Sequence, residues 1–378
     1  LTLTEQEGPR NAVRNLSDLA VAAMRAGEYG LAERALDAAI LRIDSIIPDD
    51  VNAARAKSKF HSEDVKDFKG EPYERAMVYY YRGLLFAKRG DFQNARAAFL
   101  AGGWQAAVTP QERFGKTFGM LSLLGAWASA CDGDTVRARD LRAAAEREDA
   151  SLKALPSLPT ALVLVEQGSG PRKERSGPHG ELLTFAASRP SAPAVQLAAP
   201  RRADLVRGAD LHQQATSRDG RPIDGILDGK AQFKDGAKAV GDTAFAVAQG
   251  ALVANLNGNR DLLNLGVAGS LIGTFASILS SATKPAADTR QLRLLPAAID
   301  VGPVEPGTAV QKIAVMAGQQ PVAVRLLVEQ GRCQLLWGAH AVPGIEAIGA
   351  QPDTRHADAR RQPDFRRELT AIMRGDRS

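Results

Sequence analysis

The chain has 378 residues, of which 44% are hydrophobic and 5% aromatic, and carries 48 basic against 43 acidic side chains for a net charge of +5. That length suits about two or three globular domains, with cores built mainly from Ala, Leu and Val. The small charge excess is dispersed, without the clustered cations and stacking aromatics that nucleic acid requires, so no nucleic-acid partner is expected.

The two cysteines, Cys131 and Cys333, and the five scattered histidines complete no metal-ligand spacing. No metal and no cofactor is therefore expected. The same reading favours two free thiols over a disulfide between them, and it leaves reducing and oxidising compartments both open. Residue 1 is Leu, with neither a basic stretch nor a signal-like apolar run after it, which suggests processing or truncation upstream.

Apolar residues at Val13, Leu16, Ala20 and Ala23 predict a helix, Gly27 to Tyr29 a turn, and Leu31, Ala35, Leu36, Ala39 and Ile43 a second helix ending before Pro48. Residues 49–69 are charged and read as a connecting helix and loop. The clearest hairpin follows in GEPYERAMVYYYRGLLFAKRGDFQNARAAF, residues 70–99. Pro72 opens its first helix, Met77, Tyr80, Tyr81, Leu84 and Leu85 form one stripe, and Gly90 and Asp91 precede a second helix bearing Phe92, Ala95 and Phe99. Small residues at Gly83 and Ala95 against bulky ones at Phe86, Phe92 and Phe99 resemble the tetratricopeptide (TPR) hairpin. Glu71 and Glu74 read as acids favoured by the helix N-terminus, not as a catalytic pair.

A third copy begins at Thr109, Pro110 and Glu112, continues through Phe114, Phe118, Leu121 and Ala128, and turns at Gly133 and Asp134 toward Ala138. Three such units suffice to bury a continuous core, so residues 10–150 are expected to form a TPR-like helical domain. Its first helices would line a concave groove with Arg14, Ser17, Arg25, Tyr80, Lys88 and Trp127, a basic and aromatic surface suited to an acidic or extended peptide. The competing role for Tyr80 and Trp127 is to fill the core.

At Pro156 and Pro159 the period changes to that of strands. Residues 161–165, 182–186 and 194–198 read as short strands, and the polar, Gly-rich stretch 200–229 as a long surface loop. Two Ala/Gly-rich helices are expected at 229–256 and 261–281. The second holds Leu262 to Leu279 with a Gly269/Gly273 pair, and reads as a buried helix in preference to a membrane span. Strands resume at 291, and Val322, Val324, Leu326 and Val328 alternate as one half-buried strand that returns at Gly331 into Leu335 and Trp337. The fold class is thus α+β: a helical hairpin stack, then a β-rich, sandwich-like domain over 157–345 with a helical insertion at about 229–283. Residues 346–378 read as a polar tail or a peripheral helix.

The turn VEQGSGPRK, residues 165–173, is the best candidate for a phosphate cradle, but no helix opens after its glycines and neither dinucleotide nor P-loop spacing is met. A strand-terminating turn is the better reading, and no nucleophile-elbow pattern occurs elsewhere. Enzymatic activity is therefore not expected. The alternative to a binding scaffold is a small-ligand or phosphate-binding protein, or an enzyme, using the Gly168–Lys173 turn.

Taken together, GEPYER before the hairpin, VEQGSGPRK at the strand turn, and Asp288, Thr289 and Arg290 before LRLLPAAIDVG resemble a family of bacterial TPR-containing envelope lipoproteins. Leu292 stands where the family has an aromatic residue. The resemblance implies an exported protein tethered by a lipidated cysteine upstream of Leu1, facing the periplasm from the outer membrane, and acting as a non-catalytic scaffold. It implies other envelope proteins or lipoproteins as partners, with copies associating side by side, as in a ring, a further expectation. The Asp288–Arg290 cluster reads as an intramolecular salt-bridged turn.

Overall fold

A computed structural model describes residues 2–46, 67–107, 118–156, 159–177, 182–186, 188–216, 287–349, 351–354, 358 and 360–375. The connecting helix expected near 49–69, the start of the third hairpin and the two Ala/Gly-rich helices lie wholly or largely outside these residues.

After a short helix α1 (Thr2–Glu7), six helices follow in pairs: α2 (Ala12–Ala26) with α3 (Tyr29–Ile46), α4 (Pro72–Lys88) with α5 (Phe92–Ala107), and α6 (Gly119–Cys131) with α7 (Thr135–Glu148). Each helix packs on the next along the chain, as helices joined by tight turns must. The turns at Gly27, Gly90 and Gly133 are all left-handed, which is why glycine punctuates the pattern there. Asp134 caps α7 through the Arg137 N–H, and Glu71 and Glu74 cap α4 reciprocally in a capping box. The Phe99 ring fills the space where a Gly83 side chain would be, so α4 and α5 approach closely.

The second half builds sheets. β1 (Ala161–Gln167), β6 (Val206–Asp210), β7 (Ala298–Pro303), β10 (Val324–Gln330) and β11 (Cys333–His340) form a five-stranded sheet in the order β10-β11-β1-β7-β6. β1 runs parallel to β11 and antiparallel to β7. β4 (Val195–Ala199), β5 (Ala203–Asp204), β8 (Ala314–Ala317) and β9 (Gln320–Val322) form a four-stranded sheet, and β2 (Arg172–Ser176) pairs with β3 (Leu182–Ala186). The described part is α+β, with helices first and sheets in the C-terminal half.

β1 is buried along its whole length. Leu162 and Leu164 join the core shared with the helices, whereas Ala161, Val163 and Val165 join a second core with Val195, Leu197 and Val315 of the four-stranded sheet. The five-stranded sheet is thus the middle of three layers, and the larger core passes without a break from Leu16 and Tyr80 to Ile299 and Trp337.

Three expectations change. The 200–229 stretch is not simply a surface loop, because β5, the edge strand β6 and a short helix α8 (Leu211–Thr216) form within it. Composition hides β6, whose place is set by its ladder to β7 and by Arg207 Nε donating to Asp300 at 2.7 Å. The single strand expected over 322–328 divides at Ala323, its two parts entering different sheets, and a bulge between Leu326 and Val328 shifts the alternation.

Of the two forms expected for the C-terminal stretch, the helical one is present: α9 (Gln362–Arg374) buries Phe365, Leu369 and Ile372 against α1 and α3 while Glu368 pairs with Arg42. Finally, Cys131 at the end of α6 and Cys333 at the start of β11 form a disulfide, with a Cα–Cα distance of 5.7 Å. Spacing alone could not show this, since the two are 202 residues apart and only the packing of α6 on the sheet brings them together.

Candidate functional site

The six residues assigned to a peptide groove do not line an open one. Arg14 is buried against Glu7 at 2.5 Å, and the Ser17 hydroxyl donates to the Val13 carbonyl of its own helix. Tyr80 is fully buried with its ring 5.0 Å from that of Tyr81. Trp127 packs edge-on to Phe92 and donates to the Thr160 carbonyl at 2.9 Å. Lys88 is exposed over the Tyr29 ring. Arg25 reaches away from the helices, donating to the carbonyls of Leu294 at 2.8 Å and Pro343 at 2.6 Å. The chain's own segment 288–296 and the five-stranded sheet pack on α2 and α4, through Asp18, Glu74 and the shared core.

Buried charge holds that segment in place. The Glu74 carboxylate on α4 receives the Lys173 ammonium at 2.5 Å and the Leu292 N–H at 2.8 Å, and the same ammonium donates to the Arg290 carbonyl at 2.7 Å. Arg290 forks onto Asp288 and reaches Asn11 on the N-terminal side of α2. The three motifs carrying the family resemblance therefore meet in one buried cluster. One turn along, the Asp18 carboxylate takes the Arg293 side chain at 2.7 Å and its backbone N–H at 2.9 Å. Burial raises the Asp18 carboxyl above its ordinary value, and Arg293 opposes the rise.

A third cluster surrounds Glu166, which follows the apolar run Ala161–Val165 of β1. Its carboxylate, completely buried, accepts from Trp337 Nε1 at 3.0 Å, the Tyr81 hydroxyl at 3.2 Å and Arg25 at 3.3 Å. Desolvation pushes its pKa up, with Arg25 and the two aromatic donors pulling it back. A charged residue inside a fully buried strand is a sequence signal that periodicity alone passes over.

The Gly168–Lys173 turn divides between two environments. Lys173 faces inward to Glu74, so it is not a ligand-facing cation as the phosphate-cradle alternative assumed. Gly168 has φ +69°, and a side chain there would come within 2.6 Å of the Arg189 carbonyl. The glycine lets the β1–β2 turn press against the segment leading into β4. Beside this contact opens a cleft of about 590 Å³, walled by the Gly168–Arg172 turn, Ser188 to Ser191, residues 291–295 and the Ala341–Ala347 turn. At its edge the Ser191 hydroxyl lies 2.8 Å from His340 Nδ1, and His340 Nε2 lies 2.8 Å from Gln320. That hydroxyl also contacts Gln167 Oε1 and the His340 carbonyl, and an amide, not a carboxylate, orients the ring.

Among the described residues no group of His, Cys, Asp and Glu could hold a metal ion, and no helix is long and apolar enough to cross a membrane. Comparison with protein-family models, curated proteins and solved structures finds no match for the chain.

Proposed function

We propose that the protein is a non-catalytic scaffold of the bacterial periplasm, tethered to the outer membrane through a lipidated cysteine upstream of Leu1, that holds other envelope proteins together. The observation that carries this reading is the self-filled groove. A TPR-like stack whose concave face is occupied by residues 288–296 and clamped to a sheet is a rigid block that meets partners with its outer faces. The charged side chains of its interior are spent on one another, which supports a structural role over an enzymatic one. The disulfide supports an oxidising compartment.

Cross-linking in intact cells followed by mass spectrometry tests the scaffold. One or a few envelope proteins should be joined to this chain at reproducible sites, and a pattern no different from that of an unrelated periplasmic protein would reject the reading. Export has its own test in thiol alkylation before and after reduction. Both cysteines should be protected until a reductant is added, and two freely alkylated thiols in protein taken from its native cells would argue against the periplasm.

A further inference from the structure

The cleft beside Gly168 has a chemical character that the scaffold reading neither uses nor explains. Its lining includes Arg172, Arg189 and Arg293 and no Asp or Glu. Arg293 is neutralised by Asp18 and forms part of the wall. Among the described residues Arg172 meets only Glu174, in a pair largely open to solvent and weak for that reason. Arg189 is exposed and makes no ion pair among the described residues. Glu346, in the Ala341–Ala347 turn but outside the lining, accepts from the Gly344 N–H.

Two further features sit at the same place. The Ser188 hydroxyl, in the cleft wall, is buried without a hydrogen-bond partner among the described residues. Ala341 has φ +49°, the left-handed region that alanine disfavours, and is the one described non-glycine residue to adopt a positive φ. Leu292, Leu295 and Pro343 give the cleft an apolar side, and its volume lies within the range of small-molecule sites.

We propose that this cleft binds a small ligand bearing a phosphate or carboxylate group, with Arg172 and Arg189 gripping the oxyanion. Guanidinium forks match either oxyanion in a bidentate manner. The site does not depend on the scaffold role, and the two readings fail independently.

Calorimetric titration of the full chain at physiological salt tests it, with inorganic pyrophosphate as the phosphate probe and citrate as the carboxylate probe. At least one should bind saturably with Kd below about 1 mM, and the tighter of the two identifies the oxyanion. Arg189→Glu should weaken that binding at least tenfold and Arg172→Ala several-fold. Arg332→Glu, at the β10–β11 turn on the far end of the sheet, should leave it unchanged. Far-ultraviolet circular dichroism of Arg189→Glu should match that of the parent, since the side chain is exposed. Absence of saturable binding by both probes, binding indifferent to Arg189→Glu, or equal weakening by Arg332→Glu would each overturn the proposal.

Discussion

Lys173 and Glu74 show how a local motif acquires a long-range role. The pair is almost wholly removed from solvent, and the carboxylate also binds backbone N–H groups of Glu71 and Leu292. Removing one partner strands the other as an uncompensated buried charge, which typically costs about 3–5 kcal/mol. Lys173→Met should therefore lower the urea-unfolding free energy by about that amount. The double variant Glu74→Leu/Lys173→Met should recover part of the loss, because it leaves no buried charge behind.

Glu166 makes a pH-dependent contribution of defined sign. Its native pKa is raised above the ordinary 4.5 by burial, so between the unfolded and native values the folded state holds the proton more often than the unfolded state. The stability this group contributes is complete below 4.5 and is lost as pH rises through the native value. Glu166→Gln removes the titration. The unfolding free energy of the parent minus that of the variant should therefore fall as pH increases from 4.5 toward neutrality. A difference that grows with pH would mean that Arg25 outweighs desolvation.

At the scale of elements, α6 is joined to β11 by packing and by the Cys131–Cys333 disulfide. A cross-link between residues 202 apart removes a large loop-closure entropy from the unfolded chain, about 5 kcal/mol on the chain-entropy account. Measured values commonly run lower, so Cys131→Ala/Cys333→Ala should lose about 2–5 kcal/mol in urea unfolding. An unchanged midpoint would show that helix–sheet packing alone sets the association. The hairpins themselves follow from local chemistry, with caps at Glu71 and Asp134 and left-handed glycines between helices. The strands depend more on their neighbours: β6 has little strand character of its own, and β9 and β10 divide because each finds a different sheet.

For the whole molecule, the uninterrupted core between the helices and the five-stranded sheet predicts joint melting. Calorimetry should record one transition, with calorimetric and van't Hoff enthalpies equal. Two separated transitions would show that the helical and β-rich parts are energetically independent. Residues 2–156 expressed alone should expose the apolar face around Leu16, Tyr80 and Leu84 and bind a hydrophobic dye that the full chain does not.

Sequence by itself determined the helical pairs, the turn glycines and the change of period after Pro156, because these reside in spacing and in the backbone preferences of single residues. Tertiary structure alone decided what became of the groove. Asp18, Glu74 and Arg293 look like ordinary solvated charges along the chain, and their partners lie far away in sequence. Only folding reveals that Asp18 is buried against Arg293 and Glu74 against Lys173, and that segment 288–296 packs on the helices that bear them. The disulfide and the cleft at Arg189 belong to the same class. Both arise where separate segments converge, and convergence is a property of packing that no local pattern of residues encodes.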